Sequence, residues 1–284
     1  MLEIRNLSKS FDEKTVLNNV SAGFEEGRIS VIYGNNGSGK TTLFRCIAGI
    51  TKPDQGEVIY KGRKLLKQET GYLPEKGALY QNSTAEQQLD LIAGMKNMNK
   101  DRTAARTNEL LRIFQAEDLR NRKLSDLSKG NRQKIRIAGA LINDPPLVIL
   151  DEPFTALDQD NQQVLIKVLG ILRQKRKTVL LSCHEPKIVN RIADEVFFLE
   201  NGEIRNGLKR SQWENDQRRV IELEVNEEFF TMEKYRQTST GIRIIAANQQ
   251  QAAEMLERYR KDINVLRISI GQPELEDYFP GNNL

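Results

Sequence analysis

Apolar residues follow strand-like spacing in some parts of the chain and helix-like spacing in others. The segments LEIRNLS and VLNNVSAGF alternate apolar and polar residues, which predicts half-buried strands. The segments ISVIY, PPLVILDEP and KTVLLSC each contain a continuous apolar run, which predicts strands covered on both faces. Because helix-like stretches separate these strands, the pattern predicts an α/β fold with a parallel central sheet.

Between about residues 84 and 142 the apolar spacing becomes that of helices. Side chains recur at one-turn intervals there, at Leu89, Ile92, Ala93, Leu110, Leu111, Phe114, Ile135, Ala138, Leu141 and Ile142. The spacing therefore predicts a helical insert within the α/β frame.

The residue pattern in the last third of the chain indicates the end of one domain, followed by a second, smaller domain. The segment DEVFFLENGEI is typical of a hairpin turning at Asn201-Gly202, and we expect it to close a first domain of residues 1–210. The polar segment KRSQWENDQRR then predicts a linker. Beyond it, VIELEV, GIRIIAA and VLRISI have strand spacing and AAEMLERYR has helix spacing. We therefore expect a small α+β accessory domain over residues 215–284.

Composition narrows the class of protein. The chain has 284 residues, with 43 basic and 39 acidic side chains and a net charge of +4, which indicates a mixed solvated surface and no direct binding of nucleic acid. No apolar run approaches 18 residues, so we expect no transmembrane helix, and the N-terminus lacks the apolar core of a secretory signal. Cys46 and Cys183 lie in apolar surroundings without metal-like spacing, which predicts buried, reduced thiols in a cytosolic protein.

The segment GNNGSGKT lies between the predicted strand ISVIY and the helix-like TLFRCIAGI, which is the setting of a phosphate-binding loop. Its glycines allow backbone N–H groups to turn towards phosphate oxygens. Lys40 supplies a charge for the β- and γ-phosphates, and Thr41 offers a hydroxyl to Mg²⁺. The predicted nucleotide-binding residues here are Gly34, Asn35, Asn36, Gly37, Ser38, Gly39, Lys40, Thr41 and Thr42.

The run LVIL ends in two carboxylates, Asp151 and Glu152. Because both residues follow the end of a predicted strand, we expect them at the carboxyl edge of the sheet, where open α/β sheets bind ligands. Asp151 is suited to hold Mg²⁺ through its water shell, and Glu152 to orient and deprotonate an attacking water.

These motifs, taken in order, resemble those of the ABC ATPases over about 200 residues. The phosphate loop corresponds to Walker A, Leu127-Ser128-Lys129-Gly130-Asn131 is similar to the LSGGQ signature, and Ala156-Leu157-Asp158 resembles the D-loop. His184, the only histidine, resembles the switch histidine. The resemblance implies a P-loop NTPase core with an antiparallel β subdomain and ATP and Mg²⁺ as cofactors.

The resemblance also implies roles for particular residues. Two copies, or this chain and a close paralogue, would form a head-to-tail dimer with ATP between them. Ser128, Lys129, Gly130, Asn131 and Asp158 of one subunit would then contact the nucleotide of the other. Phe11 would stack on adenine and His184 would contact the γ-phosphate. Taken alone, Ser128 could be a plain helix cap, His184 a strand-end residue and Phe11 a core residue.

Three positions depart from the family pattern. Glu75, in GYLPE, stands at the Q-loop position that usually holds Gln, and it remains a candidate Mg²⁺ ligand. Lys129 replaces Gly and Asn131 replaces Gln in the signature, so we expect slower hydrolysis. The GYLPE form and the terminal Pro273-Glu274-Leu275-Glu276-Asp277-Tyr278-Phe279 resemble ATPases that serve type-two ABC exporters. A final helix packing Leu275 and Phe279 onto the small domain is equally compatible with the terminal pattern.

The leading hypothesis is therefore the ATPase subunit of an ABC exporter, cytoplasmic and bound at the inner face of the cell membrane by separately encoded permease subunits. The segment from Glu75 to about Met98 would form the docking groove, with Leu79 and Tyr80 either as contacts or as packing residues. An alternative is a soluble ABC ATPase acting on DNA or ribosomes, but the chain lacks sustained heptads and has one Walker A motif. A third is a binding module that uses ATP as a switch, in which Glu152 is idle.

Overall fold

The computed structural model describes residues 1–77, 79–225, 231, 235–238, 241–262, 264–273 and 275–278. The chain divides into two compact units, Met1–Gly207 and Leu208–Leu284. Strands of the first unit are β1 (Leu2–Phe11), β2 (Lys14–Phe24), β3 (Ile29–Tyr33), β4 (Gln55–Tyr60), β5 (Arg63–Lys64), β6 (Thr70–Leu73), β7 (Leu147–Leu150), β8 (Thr178–Ser182), β9 (Glu195–Glu200) and β10 (Glu203–Lys209). Its helices are α1 (Lys40–Ile47), α2 (Ala85–Met95), α3 (Lys100–Ile113), α4 (Lys129–Leu141), α5 (Gln159–Gln174) and α6 (Pro186–Ile192).

The central sheet has the strand order β10-β9-β3-β8-β7-β6. Its inner pairs β3–β8, β7–β8, β6–β7 and β3–β9 are parallel, which confirms the predicted α/β fold. Every residue of β3, β7 and β8 is buried, as their continuous apolar runs predicted. Because these strands are parallel and adjacent, the residues that follow them meet at one edge of the sheet.

A second sheet is antiparallel, with the order β2-β1-β4-β5. Its inner face shares one core with the central sheet and α1, and Phe24 packs edge-on against Phe197 with 4.8 Å between ring centroids. The turn between β9 and β10 lies at Asn201 and Gly202, which both have positive φ, as the predicted hairpin requires.

Helices α2, α3 and α4 form where the spacing predicted a helical insert. Thr84 caps the start of α2: its side chain accepts a hydrogen bond from Gln87 N, and the Gln87 side chain accepts one from Thr84 N. The buried faces of α2 and α4 include Leu89 and Ile135, which confirms the one-turn spacing.

The second unit contains α7 (Arg210–Glu214), β11 (Arg219–Val225), β12 (Tyr235–Gln237), β13 (Gly241–Ala246), α8 (Gln249–Tyr259) and β14 (Val265–Gly271). The strand order is β12-β13-β11-β14, all antiparallel. The core of this unit is formed by side chains of α8 together with Ile221, Leu223 and Ile244 of the sheet. The strands and helix predicted for this region are confirmed, whereas Glu274 and Phe279 of the terminal pattern lie outside the described residues.

The predicted linker KRSQWENDQRR contains a short helix, which the sequence analysis did not predict. Helix α7 is stabilised by polar contacts: Lys209 N donates to Gln212 Oε1 at 2.7 Å, and Arg210 pairs with Glu214 at 2.9 Å. Such a helix carries no apolar stripe, which is why hydrophobic spacing did not indicate it. Among the described residues, no helix is both long and apolar enough to span a membrane.

Candidate functional site

The phosphate loop connects β3 to α1, and its ends are fixed by packing. A Cβ on Gly34 would lie 2.3 Å from the carbonyl oxygen of Leu199, so only glycine fits there. Gly39 has a φ of 108°, in the region that favours glycine, and it forms the N-cap of α1. Lys40 is buried, and its Nζ donates to the carbonyls of Gly34 at 2.7 Å and Asn35 at 3.1 Å. The loop therefore forms a closed turn around the lysine ammonium group.

The middle of the loop is open to solvent. Asn35, Asn36 and Gly37 are exposed, and a Cβ on Gly37 would meet nothing within 4 Å. Ser38 Oγ, in contrast, is buried and has no hydrogen-bond partner among the described residues. A buried hydroxyl without a partner is costly unless a ligand supplies one. Together with the N–H groups at the start of α1, beside Thr42, this arrangement fits a phosphate group.

Asp151 follows β7 and is almost completely buried, with 1% of its surface exposed. Its carboxylate accepts hydrogen bonds from Thr41 Oγ1 and from Ser182 Oγ, both at 2.7 Å. Ser182 ends β8, and its Oγ also accepts a hydrogen bond from Glu152 N at 2.7 Å. One serine hydroxyl thus joins the side chain of Asp151 to the backbone of Glu152.

Glu152 has an unusual backbone and a histidine partner. Its φ of 48° lies in the left-handed region, which is uncommon for residues other than glycine and is often found at functional sites. His184 Nδ1 lies 2.9 Å from Glu152 Oε2, and the histidine side chain is 64% exposed. The structure therefore brings Lys40, Thr41, Asp151, Glu152 and His184 to the same edge of the sheet, where the sequence analysis expected Asp151 and Glu152.

Charge and burial act in opposite directions on Lys40. Burial lowers the pKa of its ammonium group, and the negative charges of Glu152, Asp151 and Glu75 partly offset this effect. Glu75, which is exposed, thus lies close enough to act on the phosphate loop. Burial also raises the pKa of the Cys183 thiol, next to His184, to about 12. Cys46 and Cys183 are buried and free, as predicted.

The oxygen atoms at this edge were tested for their fit to Mg²⁺. Within the part of the chain that the structure describes, no group of three or more His, Cys, Asp or Glu side chains could hold a metal ion by itself. Thr41 and Asp151 nevertheless offer two oxygen atoms 2.7 Å apart. Mg²⁺ usually binds to one or two carboxylates and completes its shell with water and substrate phosphates. These two residues therefore fit a Mg²⁺ ion that arrives with a nucleotide.

The signature segment lies at the start of α4. Ser128 is exposed and caps the helix, with its Oγ accepting a hydrogen bond from Asn131 N at 3.2 Å. A Cβ on Gly130 would lie 3.2 Å from the carbonyl oxygen of Ala156, so the signature packs against the segment that ends in Asp158. Asp158 in turn caps α5 by accepting a hydrogen bond from Asn161 N at 2.9 Å.

No hydrogen bond of the described residues joins Ser128, Lys129 or Asp158 to the phosphate loop of the same chain. Ser128 and Lys129 are both exposed. The predicted residues thus form two groups with no hydrogen bond between them, one around Lys40 and one around Ser128, although Lys129 lines the same cavity as Glu75 and Glu152.

Phe11 ends β1 and is 47% exposed, so the alternative that it is a core residue is wrong. Lys9 Nζ lies 5.3 Å from the centre of its ring, and the same ammonium group pairs with Asp54 at 2.6 Å. One side of the ring is therefore covered by a cation that is itself held in place.

Sequence reasoning missed Ser182, which lies at the centre of the hydrogen bonds described above. The available signal was a polar residue at the end of an apolar strand, in KTVLLSC. It also missed Gln133, whose Nε2 donates to the carbonyl of Pro153 at 3.1 Å, and Arg136, which binds the loop of Glu75. In the sequence, both residues read as ordinary polar positions of a helix.

Comparison with known proteins identifies relatives of the whole chain. The family model described as ABC transporter matches residues 17–155. YhaQ, an ABC transporter ATP-binding protein of Bacillus subtilis, is 28% identical over 98% of this chain and 97% of its own length. An ABC transporter ATP-binding protein of Alkalihalophilus pseudofirmus is 31% identical over 87% of this chain and 97% of its own length.

Other similarities cover about three quarters of the chain. The zinc import ATP-binding protein ZnuC of Rickettsia bellii is 36% identical over 72% of this chain and 84% of its own length. A dimeric ATP-binding cassette, solved in a post-hydrolysis state with ADP and phosphate, has a TM-score of 0.67 and 26% identity over 74% of this chain and 99% of that one. The family match includes both the phosphate loop and the paired carboxylates.

Proposed function

Since the chain belongs to the ATP-binding subunits of ABC transporters, we propose that it drives export of a solute through separately encoded transmembrane permease subunits. Binding and hydrolysis of ATP are properties of this family, and the chain is an ATPase. The direction of transport, the partners and the roles of individual residues form the proposal.

The observation that carries the catalytic part is the hydrogen-bonded set from Thr41 through Asp151 and Ser182 to Glu152. Thr41 and Asp151 would hold Mg²⁺ beside the β- and γ-phosphates, with Glu75 as a further oxygen donor. When bound, Mg²⁺ supplies positive charge to the phosphate oxygens. Lys40 would turn from the loop carbonyls to the phosphates, and Ser38 would donate its free hydroxyl to a phosphate oxygen.

Glu152 would accept the proton of the attacking water, and His184 would contact the γ-phosphate. The hydrogen bond to Ser182 and the contact with His184 hold Glu152 on both its backbone and its carboxylate. A positioned general base contributes about 10²–10⁴-fold to rate. Turnover should therefore depend on the carboxylate far more than nucleotide binding does.

Replacement of Glu152 by Gln tests this assignment. We expect the variant to bind ATP with the parent's affinity but to lose at least about 100-fold in steady-state turnover. Glu185→Gln is a matched control, because Glu185 directly follows His184 but its carboxylate makes no hydrogen bond to the described residues of the site. Equal turnover in Glu152→Gln and the parent would show that Glu152 is not the general base.

Two copies of this chain, or the chain and a close paralogue, would form a head-to-tail dimer. Ser128 and Lys129 are exposed and are not joined to their own phosphate loop, which suits contact with the nucleotide of the other subunit. Gly130, Asn131 and Asp158 would line the same contact. Light scattering of Glu152→Gln with and without Mg-ATP tests the dimer, and a mass that stays monomeric with Mg-ATP would exclude it.

Exposed apolar residues support a protein partner at α2. Tyr80, Leu91 and Met95 are 67%, 44% and 77% exposed. Leu91 and Met95 lie one turn apart on α2 and Tyr80 precedes this helix, and we assign the three exposed side chains to the permease contact. The chain would thereby be held at the cytoplasmic face of the membrane. Tyr80→Ala should reduce copurification of the membrane subunit, and Leu266→Ala, equally exposed at 66%, should not.

Export is favoured over import by Glu75 in GYLPE and by the terminal pattern, both of which resemble exporter ATPases. Mass spectrometry of the membrane protein that copurifies with the chain tests the direction. Copurification with the permease of an import system would contradict export.

A further inference from the structure

Helix α4 carries two polar side chains that reach from the hydrolysis site to the loop after β6. Gln133 is buried, with 6% of its surface exposed, and its Nε2 donates to the carbonyl oxygen of Pro153 at 3.1 Å. Its Oε1 accepts a hydrogen bond from Arg136 Nη1 at 2.8 Å. A buried amide with both ends paired has a fixed orientation.

Arg136 continues this path to the loop that contains Glu75. Its Nη2 donates to the carbonyl oxygens of Pro74 at 2.5 Å and Glu75 at 3.3 Å. A Cβ on Gly77 would lie only 3.0 Å from the same Nη2, so the loop folds closely around the guanidinium group. We call the path from Pro153 through Gln133 and Arg136 to Pro74 the relay.

The relay connects two loops that leave neighbouring strands. Strands β6 and β7 pair in parallel, with Leu73 opposite Leu150, and Glu75 and Glu152 follow them by two residues each. Both residues, together with Gln133 and Arg136, line one cavity of about 220 Å³. The relay therefore forms part of the wall of a cavity that Glu75 and Glu152 share.

The backbone around Glu152 is held on both sides of this residue. Its N–H donates to Ser182 Oγ, and the carbonyl of the next residue, Pro153, accepts from Gln133. Because Glu152 has a φ of 48°, which costs about 1–3 kcal/mol, such a conformation persists only when its surroundings enforce it. The Gln133 contact is one of the constraints, beside the contacts of Glu152 with Ser182, Thr155 N and His184.

We propose that Gln133 and Arg136 are positioning residues for hydrolysis, which set the carboxylate of Glu152 according to the conformation of the Glu75 loop. The proposal rests on the catalytic role assigned to Glu152. Through Arg136, the carbonyl oxygens of Pro74 and Glu75 then help to hold the backbone at Glu152.

The test uses the full-length chain and the variants Gln133→Met, Arg136→Met and the double variant. Arg106→Met is the matched control, because Arg106 also donates to main-chain carbonyls, those of Leu141 and Ile142, away from the site. Each variant is assayed for kcat and KM with Mg-ATP, for affinity by a fluorescent ATP analogue, and for urea unfolding.

We expect each single variant in the relay to lower kcat by about 10–100-fold, since small misplacements of a reacting group have effects of this size. Nucleotide affinity should remain that of the parent. The double variant should lose no more than the larger single loss, because both changes break one path. Arg136→Lys, which can still donate to a carbonyl, should have an intermediate kcat.

Parent-like kcat in Arg136→Met, losses that multiply in the double variant, or an equal loss in Arg106→Met would each overturn the proposal. Weaker ATP affinity with unchanged kcat would overturn it as well, since that result indicates binding and not positioning. Full turnover in Glu152→Gln would instead refute the proposed function, so the two failures are distinguishable.

Discussion

Ser182 offers the sharpest test of the site, because one hydroxyl serves both carboxylate residues. Ser182→Ala removes the hydrogen bond to Asp151 and the acceptor of Glu152 N, each 2.7 Å long. Ser182 is fully buried, with 0% exposure, so water cannot replace the hydroxyl without rearrangement of the strand. The change deletes a single oxygen atom and leaves the packing of β8 otherwise intact.

The magnitude follows from the two bonds. A hydrogen bond to a charged group contributes about 1.5–3 kcal/mol, and a buried N–H left without an acceptor costs about 1–3 kcal/mol. We therefore expect the free energy of unfolding to fall by roughly 2.5–4 kcal/mol. This value lies in the lower half of the range obtained by adding the two contributions, because such contributions are not fully additive. We expect kcat to fall by about 10–100-fold, because Glu152 loses a constraint on its strained backbone.

Urea unfolding measures the first quantity and steady-state ATP hydrolysis the second. Ser30→Ala is the matched control: Ser30 is also fully buried, lies in the neighbouring strand β3, and donates to the carboxylate of Glu195 at 2.5 Å. It should lose stability but retain the kcat of the parent at temperatures well below its unfolding transition.

Two outcomes would refute this reasoning. If Ser182→Ala has the parent's kcat, the Ser182 hydroxyl does not position Glu152. If Ser30→Ala loses as much kcat as Ser182→Ala, the loss reflects a weakened sheet and not the missing hydrogen bonds of Ser182. Ser182→Thr, which keeps the hydroxyl, should recover more activity than Ser182→Ala.

Three further predictions concern other parts of the chain. Burial raises the pKa of the Cys46 thiol to about 11 and that of Cys183 to about 12, so both should remain protonated from pH 7 to 9. A disulfide reagent should therefore label neither thiol in the native protein and both in guanidinium, and rapid native labelling that rises with pH would contradict this. Phe11→Ala should raise the KM for ATP by about 5–150-fold, the equivalent of 1–3 kcal/mol of stacking, with little change in kcat. An unchanged KM would remove Phe11 from the base site. Ser128→Ala, introduced into Glu152→Gln, should abolish the Mg-ATP-dependent dimer seen by light scattering, and a dimer of unchanged stability would show that Ser128 is only a helix cap.

Much of the fold could be predicted because its signals are local in sequence. The continuous apolar runs at 29–33, 147–150 and 178–182 lie in strands that are buried on both faces. Helices α2 to α4 show their one-turn spacing directly. Strand β4, by contrast, is mostly exposed and carries no clear alternation, and the polar helix α7 carries no apolar stripe. Hydrophobic spacing therefore indicated neither.

The same distinction applies to the site. The phosphate loop and the paired carboxylates are contiguous motifs, so their chemistry can be read from the sequence alone. Ser182 joins them only because β8 pairs with β7, a neighbour more than 25 residues earlier in the chain. Gln133 and Arg136 act through carbonyl oxygens, which every residue possesses and no sequence pattern marks. Contacts of this kind become visible only when the strand order is known.

The left-handed backbone at Glu152 implies a trade-off between the stability of the fold and catalytic activity. Glycine at this position would remove about 1–3 kcal/mol of strain and return only about 0.5–1 kcal/mol of chain entropy, so Glu152→Gly should give a more robust fold. That more stable protein would lack the proposed general base and should not hydrolyse ATP. The chain therefore loses some stability at the residue on which its proposed catalytic activity depends.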